Sequence, residues 1–291
     1  MKVKALLLIV ILLLAILSGC AKPETAQVAA TTLPVYQFTL QLCDGTGISV
    51  TRLVTESVSC LHDYSLNVSQ VRAAESAQTI VISGAGLESF MEDILSNAQS
   101  VIDSSQGIEL LGCENEHDHG HDHHHHEEDS HIWLSPANAK MMAQNICSGL
   151  CAQFPEHKDT FLKNLADIQD ELDALQAYGE AQLKNLSCRE LVTFHDGFGY
   201  FAQAFDLNIL EAIEEESGSE ASAQELIRLI QIVQEHNIPA VFTESNGSTS
   251  AAYVISRETG ADVFRLDMAM AGEDYFESMY YNIDTIREAL E

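Results

Sequence analysis

Residues 155–187, PEHKDTFLKNLADIQDELDALQAYGEAQLKNLS, contain no proline after Pro155. Phe161, Leu165, Ile168, Leu172 and Leu175 return at intervals of four and three, which on a helix draws one apolar stripe down one side. Uninterrupted, the segment predicts one helix of ~30 residues over 156–187, spanning ~45 Å. Such a rod is too long to flank one small domain and suits a backbone shared by two lobes. The flanking sequence supplies them. On the C-terminal side, strands are predicted at Leu191–Phe194, Leu207–Ala212, Ile238–Thr243 and Ala261–Leu266. Helices fall between them, one after Gly197 and one opened by the capping box Ser222-Ala-Gln-Glu225 and running to His236, and a last helix covers 274–290. On the N-terminal side, strands are predicted at Ala26–Leu33, Ile48–Val54, 79–83 and near 100–103. Helices are expected at Pro34–Leu42, 69–77, 87–98 and from Pro136 to about 153. Alternating strands and helices imply parallel sheets covered on both faces. The expectation is an α/β protein of two lobes, 20–154 and 188–291, each with a parallel-type sheet flanked by helices and joined by the rigid linker helix 155–187.

The first residues read as a processing signal. Lys2 and Lys4 precede the apolar run Ala5–Leu17, which is short for a membrane span and is followed by Leu17-Ser18-Gly19-Cys20. That quartet resembles a bacterial lipobox, with Cys20 as the lipidated first residue of the mature chain after removal of the leader 1–19. An uncleaved anchor helix is the alternative. Either way the folded part is expected outside the cytoplasm, tethered to the outer face of the cell membrane or held in the periplasm. The formal charge of −30 repels nucleic acid and concentrates cations at the surface. Cys43, Cys60, Cys113, Cys147, Cys151 and Cys188 remain, and disulfides are permitted in an exported chain, but their pairing is not deducible. Cys147 and Cys151 share a helix face, a geometry that does not favour joining them.

His117, His119, His121, His123, His124, His125 and His126 fall within ten positions, interleaved with Asp118 and Asp122. Such a tract cannot pack a core, so 114–129 is expected to be a solvated loop; neutral imidazoles point it toward zinc, copper or nickel. Five histidines lie elsewhere: His62, His131, His157, His195 and His236. His62, His131 and His195 stand at strand-to-helix junctions, and Asp267 ends the strand ADVFRL. In open α/β sheets ligands bind at the carboxyl ends of strands. If the two lobes face each other, His62, His131, His195 and Asp267 meet in the cleft as a four-coordinate site acceptable to zinc. His157, early in the linker helix, and His236, near a helix end, read as structural residues.

Here the chain resembles the zinc/manganese group of substrate-binding proteins of ABC importers. Cys60-Leu-His62-Asp63-Tyr64, His131-Ile-Trp133-Leu134-Ser-Pro136-Ala-Asn138, His195-Asp196-Gly-Phe198-Gly199-Tyr200-Phe201 and Leu266-Asp267 with Tyr275 and Tyr281-Asn282-Ile-Asp284 are similar to the family's blocks, in the family's order. The resemblance implies metal ligands at His62, His131, His195 and Asp267, the last direct or through water. It implies a permease and an ATPase as partners and a protein working as a monomer. Histidine as third ligand falls on the zinc rather than the manganese side. Two departures stand out: Leu61 where the family usually has proline, and Met268 after the aspartate where proline or serine is usual. Glu214–Glu216 and Glu244 are alternative oxygen donors.

The function so implied has no chemical step: the chain captures Zn2+, aided by the histidine loop, and hands it to the permease. A zinc-scavenging or adhesive surface lipoprotein without a transporter would share the fold. A zinc hydrolase would also use three histidines. Against it stand the missing HExxH and G-x-S-x-G, with Asp196 the one candidate base.

Overall fold

The structure, a computed structural model, describes residues 26–56, 61, 64–112, 128–214, 221–244 and 249–291, with only the backbone described at 195, 213 and 214. The leader 1–19, Cys20, Cys60, His62, Cys113, the histidines of 117–126 and Glu215–Glu216 lie outside the described residues.

Strands β1 (Val28–Ala30), β2 (Val50–Arg52), β3 (Thr79–Ile82) and β4 (Val101–Asp103) form one wholly parallel sheet in the order β2-β1-β3-β4. Helices α1 (Leu33–Leu42), α2 (Val68–Ser76) and α3 (Glu92–Asn97) connect them, followed by α4 (Pro136–Gln153). The long helix α5 (Lys158–Gln182) leads to the second sheet. There β5 (Glu190–His195), β6 (Asn208–Glu214), β7 (Ala240–Glu244) and β8 (Asp262–Leu266) run parallel in the order β6-β5-β7-β8. Helices α6 (Gly199–Ala204), α7 (Ala223–His236) and α8 (Ser250–Thr259) make the crossovers, and α9 (Tyr275–Leu290) closes the chain.

The architecture is the expected one, with local corrections. The linker helix has 25 residues rather than ~30, because Pro155–His157 form a separate 3-10 turn and Leu183 leaves the helix as a buried cap. The first strand has three residues, since Leu33 and Pro34 already belong to α1, where proline fits the first turn. The segment expected as one helix over 87–98 divides into a 3-10 turn, Ser89–Met91, and the six-residue α3. The box at Ser222 is formed as expected, its side chain accepting from the Glu225 N–H while Glu225 reaches back to the Ser222 N–H.

Period-two alternation sorts the strand residues between two faces. Ala29 and Ile80 turn outward against α2 and α3, while Val28, Ala30 and Val81 turn inward. In the second sheet Val192, Phe194 and Val241 pack under α7 and α8, while Leu191, Ala240, Phe242 and Leu266 turn inward. The two inward faces share one continuous core, completed by Phe161, Ile168, Leu172 and Leu175 of α5 and by Tyr275, Met279, Ile283 and Ile286 of α9. The α5 stripe is not wholly apolar. Asn164 takes the buried place beside the partly exposed Leu165, and its amide donates to the carbonyls of Gln41, Leu42 and Asp44, capping the end of α1. Lower down, a Cβ on Gly179 would stand 2.2 Å from the Phe205 ring, so glycine is what allows α5 to lie this close to the second lobe.

Four cysteines are described, and none is in a disulfide with another described residue. Burial pushes the Cys43 and Cys147 thiols up to about 12, with Cys151 adding to the effect on Cys147, so both are inert core groups at neutral pH.

Glu88 is a buried carboxylate at the carboxyl edge of the first sheet. It accepts from Thr31 Oγ1 at 2.6 Å and from the N–H groups of Ser83 and Gly84 at 2.7 and 3.0 Å. Burial outweighs these bonds and pushes the carboxyl up from 4.5 to about 7. Between those values the folded chain holds a proton that the unfolded chain has released. Stability therefore falls as pH rises through that window, by ~3 kcal/mol in total from this group. Glu88→Gln removes the titration and should flatten that part of the profile, whatever its baseline cost. Urea unfolding of both chains in the presence of a chelator checks this; parallel profiles would refute it.

Candidate metal centre

The carboxyl ends of the two sheets face each other, because the loops that follow the strands bond across the gap. Leu33 N–H, just after β1, donates to the Met270 carbonyl at 3.1 Å, beyond β8. Arg52 Nη1, at the end of β2, donates to the Gly272 carbonyl at 2.7 Å. Gln37 Nε2 donates to Asp274 and its Oε1 accepts the Tyr275 N–H. In each sheet the chain order reverses beside the first strand, so the switch points lie between β1 and β3 and between β5 and β7.

His195 is the last residue of β5, at the second switch point, with Glu244 ending β7 beside it and Leu266 ending β8 next in line. Asp267 follows directly. His131 precedes a 3-10 turn, Ile132–Leu134, that leads into α4; Ser135 caps that helix and Pro136 opens it. His131 is 4% exposed, its ring edge-on to Trp133 with centroids 5.4 Å apart. Its Nδ1 lies 2.8 Å from Asp129 Oδ1, and its own N–H donates to the same oxygen at 2.9 Å.

Chain neighbours of three of the four sequence-predicted ligand positions touch one another. Trp133, two residues after His131, donates its indole N–H to the carbonyl of Met268, next to Asp267, at 2.7 Å. Tyr275 hydroxyl donates to the Trp133 carbonyl at 2.7 Å. On the other side Asp129 lies against Gly199, the first residue of the helix after His195. The His62 side chain lies outside the described residues, but Leu61 before it is fully buried in the same core as Trp133 and Leu134. Leu61, one of the two departures noted in the sequence, is thus a core residue.

Asp267 is partly exposed and well held. The Asn282 side chain clamps its backbone, accepting its N–H at 2.8 Å and donating to its carbonyl at 2.6 Å. Its Oδ1 accepts the Ala269 N–H at 2.8 Å and its Oδ2 the Ser278 hydroxyl at 3.3 Å. The first of these is an Asx turn, placing Ala269 at φ +52°. Met268, the second departure from the family pattern, serves through its carbonyl and a buried side chain. Glu244 is buried at the same edge. No group of three or more ligating side chains is assembled among the described residues, which leave out the side chains of His62 and His195.

His157 stacks edge-on to Phe161 beside the start of α5, and His236 ends α7 with its Nδ1 3.1 Å from Glu190. Neither approaches the cleft. A separate hollow of about 590 Å³, lined by Leu40, Asp44, Ile48, Asp167, Ile168 and Glu171, lies at the far end of α1 and includes no candidate ligand. Sequence patterns overlooked Asp129, whose one local signal is an acid two residues from a candidate ligand; Tyr200 and Asn282 stand in the quoted blocks, but no role was read for them.

Comparison with known proteins identifies the family. Residues 28–289 match the family model described as zinc-uptake complex component A, periplasmic. A putative metal-binding protein of Treponema pallidum (strain Nichols) is 29% identical over 261 residues, 86% of this chain and 82% of that protein. The high-affinity zinc uptake system protein ZnuA of Bacillus subtilis (strain 168) is 29% identical over 289 residues, 94% of this chain and 90% of that protein. A crystal structure of ZnuA superposes with a TM-score of 0.79 at 31% identity, covering 91% of this chain and all of that one.

Proposed function

Because the chain belongs to the zinc-uptake complex component A family, we propose that it captures Zn2+ outside the cytoplasm and delivers it to the permease of an ABC importer, without catalysing a reaction. The ligands in this proposal are His62, His131, His195 and Asp267. What supports it most directly is the Trp133–Met268 hydrogen bond, which holds the chain beside His131 against the chain beside Asp267 where the carboxyl ends of two parallel sheets face each other. Three imidazoles with one carboxylate suit zinc in a four-coordinate site, and histidine rather than glutamate at 195 favours zinc over manganese. The ligands must be deprotonated to bind, so capture weakens in acid.

The remaining parts of the proposal follow from the sequence. The lipid on Cys20 holds the mature chain at the membrane, and lobes 20–154 and 188–291 are bridged by 155–187. The chain acts as a monomer toward a permease and its ATPase. The histidine run gathers zinc weakly at the mouth of the cleft.

Calorimetric titration of the soluble chain with zinc tests this, beside a version lacking 114–127; the deletion stops short of Asp129 because of that residue's contact with His131. One tight site should survive the deletion while weaker sites vanish. Loss of the tight site with the run would overturn the four-ligand centre.

A further inference from the structure

Asp129 is 8% exposed and turned back toward His131, taking both its main-chain and its ring N–H on one oxygen. A carboxylate only accepts, so this contact puts the imidazole proton on Nδ1 and the basic lone pair on Nε2. The Asp129 backbone is itself located by contacts from both lobes. The Asp129 main-chain N–H donates to the Leu111 carbonyl at 2.8 Å. Tyr200 hydroxyl, from α6, donates to the Asp129 carbonyl at 2.9 Å and accepts the Leu111 N–H at 2.9 Å. One phenol thus bridges the two chain segments that enter and leave 113–127, which also pair as an antiparallel bridge between Gly112 and Glu128. A Cβ on Gly199 would come within 3.1 Å of Asp129 Oδ2, so the start of α6 closes the other side of the carboxylate.

We propose that Asp129 is the positioning residue for His131, selecting the tautomer and ring orientation that present Nε2 to the metal, and that Tyr200 ties this orientation to the lobe carrying His195. This inference rests on His131 being a zinc ligand. An outer carboxylate that fixes a ligating imidazole is generally worth 10–100-fold in metal affinity. A pair that merely satisfies two buried polar groups would change stability and leave the affinity alone.

The test measures zinc affinity of the full mature chain by competition with a chromophoric chelator, in wild type, His131→Ala, Asp129→Ala, Asp129→Asn and Tyr200→Phe. Asp129→Ala should weaken the tight site about 10–100-fold. Asp129→Asn keeps an oxygen that accepts both N–H groups and should stay within a few-fold of wild type. Tyr200→Phe should fall between them. Long-range 1H–15N spectra of the metal-free protein should show His131 protonated on Nδ1 in wild type and Asp129→Asn, and losing that tautomer in Asp129→Ala. The wild-type spectrum decides even where a variant does not fold: a proton on Nε2 overturns the proposal. A tight site lost in His131→Ala and unchanged in Asp129→Ala overturns this proposal alone. A tight site that survives His131→Ala overturns the ligand assignment and this proposal with it.

Discussion

Trp133→Ala should lower the unfolding free energy of the metal-free chain by about 3–5 kcal/mol, the usual cost of emptying a large buried aromatic site. The indole is fully buried where the two lobes meet, and its N–H is the donor for the Met268 carbonyl. The alanine variant therefore leaves both a cavity and an unpartnered buried carbonyl. Trp133→Phe separates the two effects. The ring volume largely stays, the Met268 carbonyl is orphaned, and a loss of about 1–3 kcal/mol is expected. Because this bond spans the cleft beside Asp267, both variants should also weaken zinc binding. Urea unfolding followed by circular dichroism in the presence of chelator measures the first effect. Trp133 is the only tryptophan, so fluorescence cannot follow its own replacement. A loss below about 1 kcal/mol in Trp133→Ala would mean that the contact between the lobes is carried by the remaining core, since such a value is typical of surface changes rather than core ones.

His131→Ala should abolish tight zinc capture, with affinity falling by more than about 100-fold, beyond what loss of an outer partner alone costs. His236→Ala is the matched control. Its ring sits in a half-exposed pair with Glu190 at the end of α7, and pairs of that kind contribute little. Competition titration at fixed pH distinguishes the two, and equal affinities in the two variants would remove His131 from the ligand set.

The features legible in the sequence are those encoded by neighbours in the chain. Most of the α5 stripe, the Ser222 capping box, Pro136 at the start of α4 and the strand ending at Leu266 each depend on a few adjacent side chains, and stand where the pattern put them. Strand lengths were less legible, because pairing sets them. Ile48–Val54 reads as one strand, yet the regular strand is only Val50–Arg52, paired with the three residues of β1; Leu53 and Val54 still donate to the Ala30 and Thr31 carbonyls as the chain turns toward α1. Asn164 in the middle of an apolar stripe makes sense only once the open carbonyls at the end of α1 are in place. The same holds at the site. His131 and Asp267 were visible as junction residues; Asn282 and Tyr200 stood in the quoted blocks, but what they hold was not legible, since Asn282 lies 15 residues from Asp267 and Tyr200 lies 71 from Asp129. Such partners are fixed by tertiary packing, which no local periodicity records.

The single core that runs beneath both sheets has an energetic consequence for unloading. With α5 and α9 packed into both lobes at once, no open form differing by a rigid rotation of the lobes is cheap to reach. If the ligands are those proposed, little of the ion's intrinsic affinity is then spent on bringing the lobes together. The same arithmetic is unfavourable for release. Weakening the site by 10⁴-fold requires ~5.5 kcal/mol, which thermal opening of so continuous a core does not provide. In the proposed reading that energy comes from contacts made on docking, so the permease and not the capturing protein sets when the ion leaves.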